Sequence, residues 1–139
     1  NLAVLASSGT SPYVTAWRFT SGTGFGTKYS NPGTLRGGAG NFVNISPDGA
    51  YVAVANATAN YVSVYPFNTT SGFGTRIGTP GGILIACNTV SFTQDSQYIL
   101  IGATGSPYYF SYPWSAGFGS GLSTPPSLPA SVINTITTC

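Results

Sequence analysis

The tightest constraint on this chain is that it repeats itself. Gly24-Phe25-Gly26-Thr27 recurs as Gly72-Phe73-Gly74-Thr75 and again as Gly117-Phe118-Gly119-Ser120. Ahead of it, Tyr13-Val14-Thr15-Ala16-Trp17-Arg18-Phe19 matches Tyr61-Val62-Ser63-Val64-Tyr65-Pro66-Phe67 and Tyr108-Tyr109-Phe110-Ser111-Tyr112-Pro113-Trp114. Tyr13 and Tyr61 stand 48 residues apart, and Tyr61 and Tyr108 stand 47 apart. The apolar run Leu2–Ala6 likewise matches Tyr51–Ala55 and Tyr98–Gly102. Landmarks kept in one order at one period make each copy the same supersecondary unit.

Within a period the pattern is strand-like throughout. Phe42-Val43-Asn44-Ile45 runs into Ser46-Pro47-Asp48-Gly49, where Pro presets φ and Gly permits a positive φ. Tyr51–Ala55 reads as a short β-branched strand, Asn56–Asn60 as a polar turn, and Tyr61–Tyr65 as a strand with alternating faces. Pro66 lacks a backbone donor and is expected to end that strand or to sit on an edge. A Gly-rich hairpin leads to a weaker fourth segment near Arg76 to Pro80. No apolar residues fall at helical spacing over a useful window. Four short antiparallel strands per period of roughly 47 residues predict an all-β chain of β-propeller blades. The division is a partial blade at 1–41, blades at 42–86 and 87–130, and an orphan inner strand at 131–139.

Charged residues make up only 4 % of the chain: Lys28, Arg18, Arg36, Arg76, Asp48 and Asp95. Aromatics reach 14 % and β-branched residues are abundant, so a core can form and disorder is excluded. The net charge of +2 comes from scattered cations with no stripe that could meet phosphates, so no nucleic acid is expected. No apolar run approaches the roughly 20 residues of a membrane helix, and no membrane insertion is expected. Two cysteines, Cys87 and Cys139, fit either one disulfide or two separate buried thiols.

The segment Val43-Asn44-Ile45-Ser46-Pro47-Asp48-Gly49-Ala50-Tyr51-Val52-Ala53-Val54-Ala55-Asn56, followed by Tyr61–Tyr65, resembles the YVTN/WD-repeat-like β-propeller family. The resemblance spans all three copies. The third departs from it, with Thr93-Gln94-Asp95-Ser96 in place of the Ser-Pro-Asp-Gly turn. Neither a Trp-Asp dipeptide nor a Gly-His pair is present, which disfavours a eukaryotic WD repeat. The Tyr-Pro-[Phe/Trp] and Gly-Phe-Gly-Thr elements are similar to repeat proteins of phage and environmental bacterial genomes. That similarity implies a virion or extracellular setting. Relatives of the family include lactonase-type hydrolases, whose acidic and histidine residues have no counterparts here.

If Phe42–Ser46 is an innermost strand, the first copy opens on its second strand, and Val132–Ile136 aligns with an innermost strand. Three blades are too few to close a ring, since rings hold about four to eight. Two arrangements are open. In one, a homo-oligomer closes through Leu2, Val4, Val132, Ile133 and Ile136, giving six blades as a dimer or nine as a trimer. In the other, the sequence is part of a longer repeat chain. Tyr98–Ile101 and Tyr108–Tyr112 are β-rich and uncharged, so an uncovered edge there invites pairing.

Catalysis is not expected. Acid–base work needs a positioned proton carrier, and the chain has no His and no Glu. Asp48 and Asp95 occupy matching turns, where Asp caps local backbone, and their equivalent places argue against convergence on one substrate. Lys28 and Cys87 lack activating partners, and no metal or other cofactor is expected. Three sequons begin at Asn44, Asn56 and Asn68, as composition alone would produce. Phe25, Phe73 and Phe118 are expected to fill the space between neighbouring blades. Trp17, Tyr65 and Tyr112 share one repeat position, and Phe19, Phe67 and Trp114 another. If one set reaches the surface, Trp17, Tyr65, Tyr112 and Trp114 are the ligand-binding candidates; otherwise both sets are core. The functional expectation is a non-enzymatic module of a virion, in assembly with other subunits or in host-surface binding. The alternative is a secreted lectin-like propeller taking a cell-surface glycan.

Overall fold

Ten antiparallel strands in three sheets make up the fold in a computed structural model, which describes residues 2–6, 9, 11–34, 38–125, 127, 134–136 and 138. The first sheet is β1 (Leu2–Ala6), β2 (Val14–Thr20) and β3 (Gly24–Lys28). The second is β4 (Gly40–Ile45), β5 (Tyr51–Asn56), β6 (Val62–Asn68) and β7 (Gly72–Phe73). The third is β8 (Cys87–Phe92), β9 (Tyr98–Ala103) and β10 (Tyr109–Pro113). A Trp114–Phe118 bridge stands there where the second sheet has β7. Each sheet is one copy of the repeat. Among the described residues the chain is all-β with no helix.

The turn between β4 and β5 shows how local sequence sets this geometry. Asp48 Oδ1 accepts from Ser46 Oγ and from the Ala50 amide at 3.0 Å, while Ser46 Oγ accepts from the Tyr51 amide at 2.9 Å. The third repeat rebuilds this turn from different residues. Thr93 Oγ1 donates to Asp95 Oδ1, the Gln97 amide donates to Asp95 Oδ1 at 3.0 Å, and the Tyr98 amide donates to Thr93 Oγ1 at 3.0 Å. Gly49 at φ 73° is replaced by Ser96 at φ 57°. A hydroxyl and a carboxylate two residues apart fix the turn; the Pro and the Gly only ease it.

Two local expectations hold in part. Pro66 does not end its strand, because β6 runs on to Asn68 with Pro66 opposite Tyr51. Its carbonyl accepts from Gly74 at 2.8 Å, so the missing donor points the same way, toward the short β7, where little ladder is lost. The fourth segment starts earlier, with β7 at Gly72–Phe73, and continues weakly over the expected stretch, where Ile77 bridges Val64 and Thr79 Oγ1 donates to Val62 O at 3.2 Å. Gly72 is needed there, at φ +83° with Tyr29 Cβ 3.3 Å from where a Cβ would stand.

The sheets stack face to face, and alternation along each strand assigns the faces. Val52, Val54, Tyr65 and Phe67 of the second sheet bury themselves with Val14 and Ala16 of the first. Ala53, Ala55, Val62 and Val64, on its other face, bury themselves with Ile99, Ile101 and Tyr112 of the third. The middle sheet is thus covered on both faces. Each fully buried Val or Ile contributes about 1.5–3 kcal/mol of transfer free energy. Asparagines tie the inner strands: Asn41 Nδ2 donates to Cys87 O at 2.9 Å, and Asn44 Oδ1 accepts from the Phe92 amide at 3.1 Å. One repeat further on, Asn88 Nδ2 donates to Asn134 Oδ1 at 3.0 Å and Thr138 Oγ1 donates to Phe92 O at 2.8 Å.

Phe73 packs against the core shared by the first and second sheets and Phe118 against that shared by the second and third, as expected of rings between neighbours, while Phe25 lies on the open face of the first sheet. Phe73 lies edge-on to Tyr65 and Phe67 at 5.6 and 5.2 Å; Phe118 lies so to Tyr112 and Trp114 at 5.6 and 5.0 Å. Phe25 repeats the contact with Trp17 and Phe19 at 6.2 and 5.5 Å. The hairpin folds each ring back over the aromatics of the preceding strand, and Phe25 is 62 % exposed. Of the residues expected to close an oligomer, Leu2 and Val4 lie on β1, where Val4 packs against the core of the first two sheets. Ile136 is half-buried and carries no strand; Val132 and Ile133 lie outside the described residues.

Candidate functional site

The site grows from the two stacked turns. The Ser46–Tyr51 and Thr93–Tyr98 turns occupy the same place in adjacent sheets, so both open onto one cleft of about 530 Å³. Asp48 and Asp95 stand on its rim with Gln94 and Gln97, and Tyr51 and Trp114 form its apolar wall. Repeat-equivalent positions therefore line one cleft, because stacking sets equivalent turns side by side. All described hydrogen bonds to the two carboxylates arrive at Oδ1. Hydrogen bonds from Thr93 and from the Gln97 amide hold the Asp95 carboxyl below its ordinary range. It is an ionised acceptor at neutral pH and a poor general acid.

Tyr51 meets Trp114 edge-on at 5.1 Å, and Phe92 and Phe118 hold the indole at 5.5 and 5.0 Å. The arrangement offers an aromatic wall facing carboxylate and amide groups, a pattern suited to a ligand that is apolar on one side and rich in hydroxyls on the other. These are the only two carboxylates in the chain. Two of its four cations, Arg18 and Lys28, line a separate cleft of about 480 Å³ with Tyr29, Thr70 and Ser71. Among the described residues no three metal-ligating side chains come together.

The four aromatic candidates fare differently. Trp114 lines the carboxylate cleft, although it is only 4 % exposed. Tyr112 lines a cleft of about 550 Å³ beside Gly81 and Gly121, with its hydroxyl donating to Gly81 O at 3.3 Å. Tyr65 is 1 % exposed and donates to Thr34 O at 3.1 Å, which removes it from any ligand surface. Trp17 is half-buried, with the Lys28 ammonium 5.8 Å from its ring centre. Sequence reading missed Tyr51, Gln94 and Gln97. The signal was the pairing of Asp48 with Asp95 one period apart, which marks neighbouring turns. No protein-family model matches the chain, and no curated protein matches it.

Proposed function

We propose that this chain is a non-enzymatic binding module of propeller-blade repeats that takes a neutral glycan in the cleft between its second and third repeats. The observation that carries the reading is the meeting there of both carboxylates with Tyr51 and Trp114. Sugar hydroxyls suit charged acceptors, and the C–H face of a sugar suits an aromatic wall. A hydrolase would need one carboxyl held protonated, and the hydrogen bonds at Asp95 favour its ionised form. The resemblance to YVTN-type repeats supports the same absence of catalysis, since the acidic and histidine residues of the lactonase-type relatives are missing. The setting we infer is a virion surface or the extracellular space, where a shallow, polar site on a chain of low overall charge meets cell-surface sugar.

The test is a panel of soluble neutral and acidic oligosaccharides titrated into the protein and followed by tryptophan fluorescence and calorimetry. A neutral glycan should bind with EDTA-insensitive affinity. Asp48→Asn with Asp95→Asn should weaken it by about 10–100-fold, the loss of one or two charge-assisted hydrogen bonds. No binding across the panel, or binding unchanged in the double variant, would sink the reading.

A further inference from the structure

Among the described residues the stack has two unlike ends: the first sheet ends it in an open aromatic face, and the third in a face that buries Thr89, Ser91 and Ser111 and exposes Tyr98. On the first sheet, Trp17 and Phe19 are half-exposed and Phe25 is 62 % exposed. Their counterparts one repeat on, Tyr65 and Phe67, are 1 % and 6 % exposed, because the first sheet lies over them. On the third sheet, Tyr98 is 40 % exposed and Leu100 is half-buried. Their counterparts Tyr51 and Ala53 are half-buried and fully buried, because the third sheet lies over them.

These faces match through a contact the molecule already makes. Tyr51 of the second sheet lies edge-on to Trp114 of the third at 5.1 Å. Tyr98 is the repeat equivalent of Tyr51, and Phe19 is the repeat equivalent of Trp114. Setting Tyr98 of one molecule on Phe19 of another therefore continues the internal interface without a new type of contact. Strand order agrees. β4 borders β5 in the second sheet, whereas the equivalent edge of β1 carries no strand among the described residues. Residues 134–136 and 138 run beside β8, and Asn88 reaches Asn134 as Asn41 reaches Cys87. In the extended stack the neighbour's β1 edge would lie next to that segment.

We propose that two copies of this chain associate head to tail, the third sheet of one covering the Trp17–Phe19–Phe25 face of the other. The contact is heterologous, since each copy gives a different face. It stands independently of the glycan reading, because Trp17, Phe19, Phe25 and Tyr98, on which it rests, do not line the carboxylate cleft.

The experiment is native mass spectrometry and light scattering on the purified chain, with the variants Phe25→Arg and Tyr98→Arg. Wild type should form a discrete assembly of two or more copies. Each variant should weaken association at least about tenfold and run as a monomer with an unchanged β-sheet circular dichroism spectrum. Mixing the two variants should restore a dimer, because the intact Tyr98 face of one meets the intact Phe25 face of the other. Phe25→Ser and Tyr98→Ser repeat the test with a milder change if an arginine variant does not fold. A wild-type monomer up to about 100 μM overturns the proposal. So do variants that stay assembled, or a folded pair that does not recover on mixing.

Discussion

Burial pushes the Cys87 thiol up to about 12, and Tyr112 beside it is raised by burial first and by Cys87 second. Cys87 is free, fully buried and donates to Ile85 O at 3.4 Å. Both groups are neutral in the fold and ionise more readily once the chain unfolds. Their contribution is complete below the ordinary thiol value of 9.0 and is lost as pH rises toward 12. Denaturant midpoints should therefore fall steadily above about pH 9, and Cys87→Ala should make that fall shallower. Equal slopes in the two proteins would mean that the thiol does not carry the effect. The sequence could show that Cys87 had no catalytic partner, but not which groups surround it. Tyr65 illustrates the same gap. Its repeat position is plain in the sequence, yet only the covering sheet makes it core, while Trp17 at the same position stays partly open.

The turns were largely legible, because the Ser/Thr-x-Asp spacing is a local hydrogen-bond device that needs nothing distant. Gly49 and Ser96 hold the same left-handed position at φ 73° and 57°, and so should respond oppositely to change. Gly49→Ala should destabilise by about 1–2 kcal/mol, the steric cost of a Cβ in that region. Ser96→Gly should stabilise by up to about 1 kcal/mol, with the larger backbone entropy of unfolded glycine offsetting part of the gain. Thermal or urea unfolding of the two variants checks both signs. A loss at Ser96→Gly would show that the serine side chain, not the backbone, sets that turn. Strand existence was legible too, from period-2 patterning in every copy. The passage of β6 through Pro66 was not, since whether a missing donor matters depends on which neighbour it faces. The inter-sheet place of Phe73 and Phe118 was legible, but the edge-on contacts that Phe25, Phe73 and Phe118 make with two rings of their own sheets were hidden. A repeated aromatic announces a repeated contact without saying which rings it meets.

Stacking three near-identical sheets makes coverage, more than sequence, the variable that distinguishes them. Phe73 sits edge-on to two rings that are almost wholly buried, whereas Phe25 makes the same pair of contacts on a face that is open. One substitution at both places isolates that difference. Phe73→Ala should cost about 2–3 kcal/mol, below the full core value because the ring is only half-buried. At dilutions where copies are separate, Phe25→Ala should cost no more than about 0.5 kcal/mol, the ordinary range for an exposed site. Raising the protein concentration should then tell the faces apart. Association stabilises the folded state by mass action, so wild-type melting temperature should climb with concentration while that of Phe25→Ala climbs less. Phe73→Ala lowers the melting temperature at every concentration and leaves its concentration dependence unchanged, because its ring faces inward. If Phe25→Ala costs as much as Phe73→Ala at high dilution, the first sheet's aromatic face is covered within a single chain, and head-to-tail association loses its docking surface.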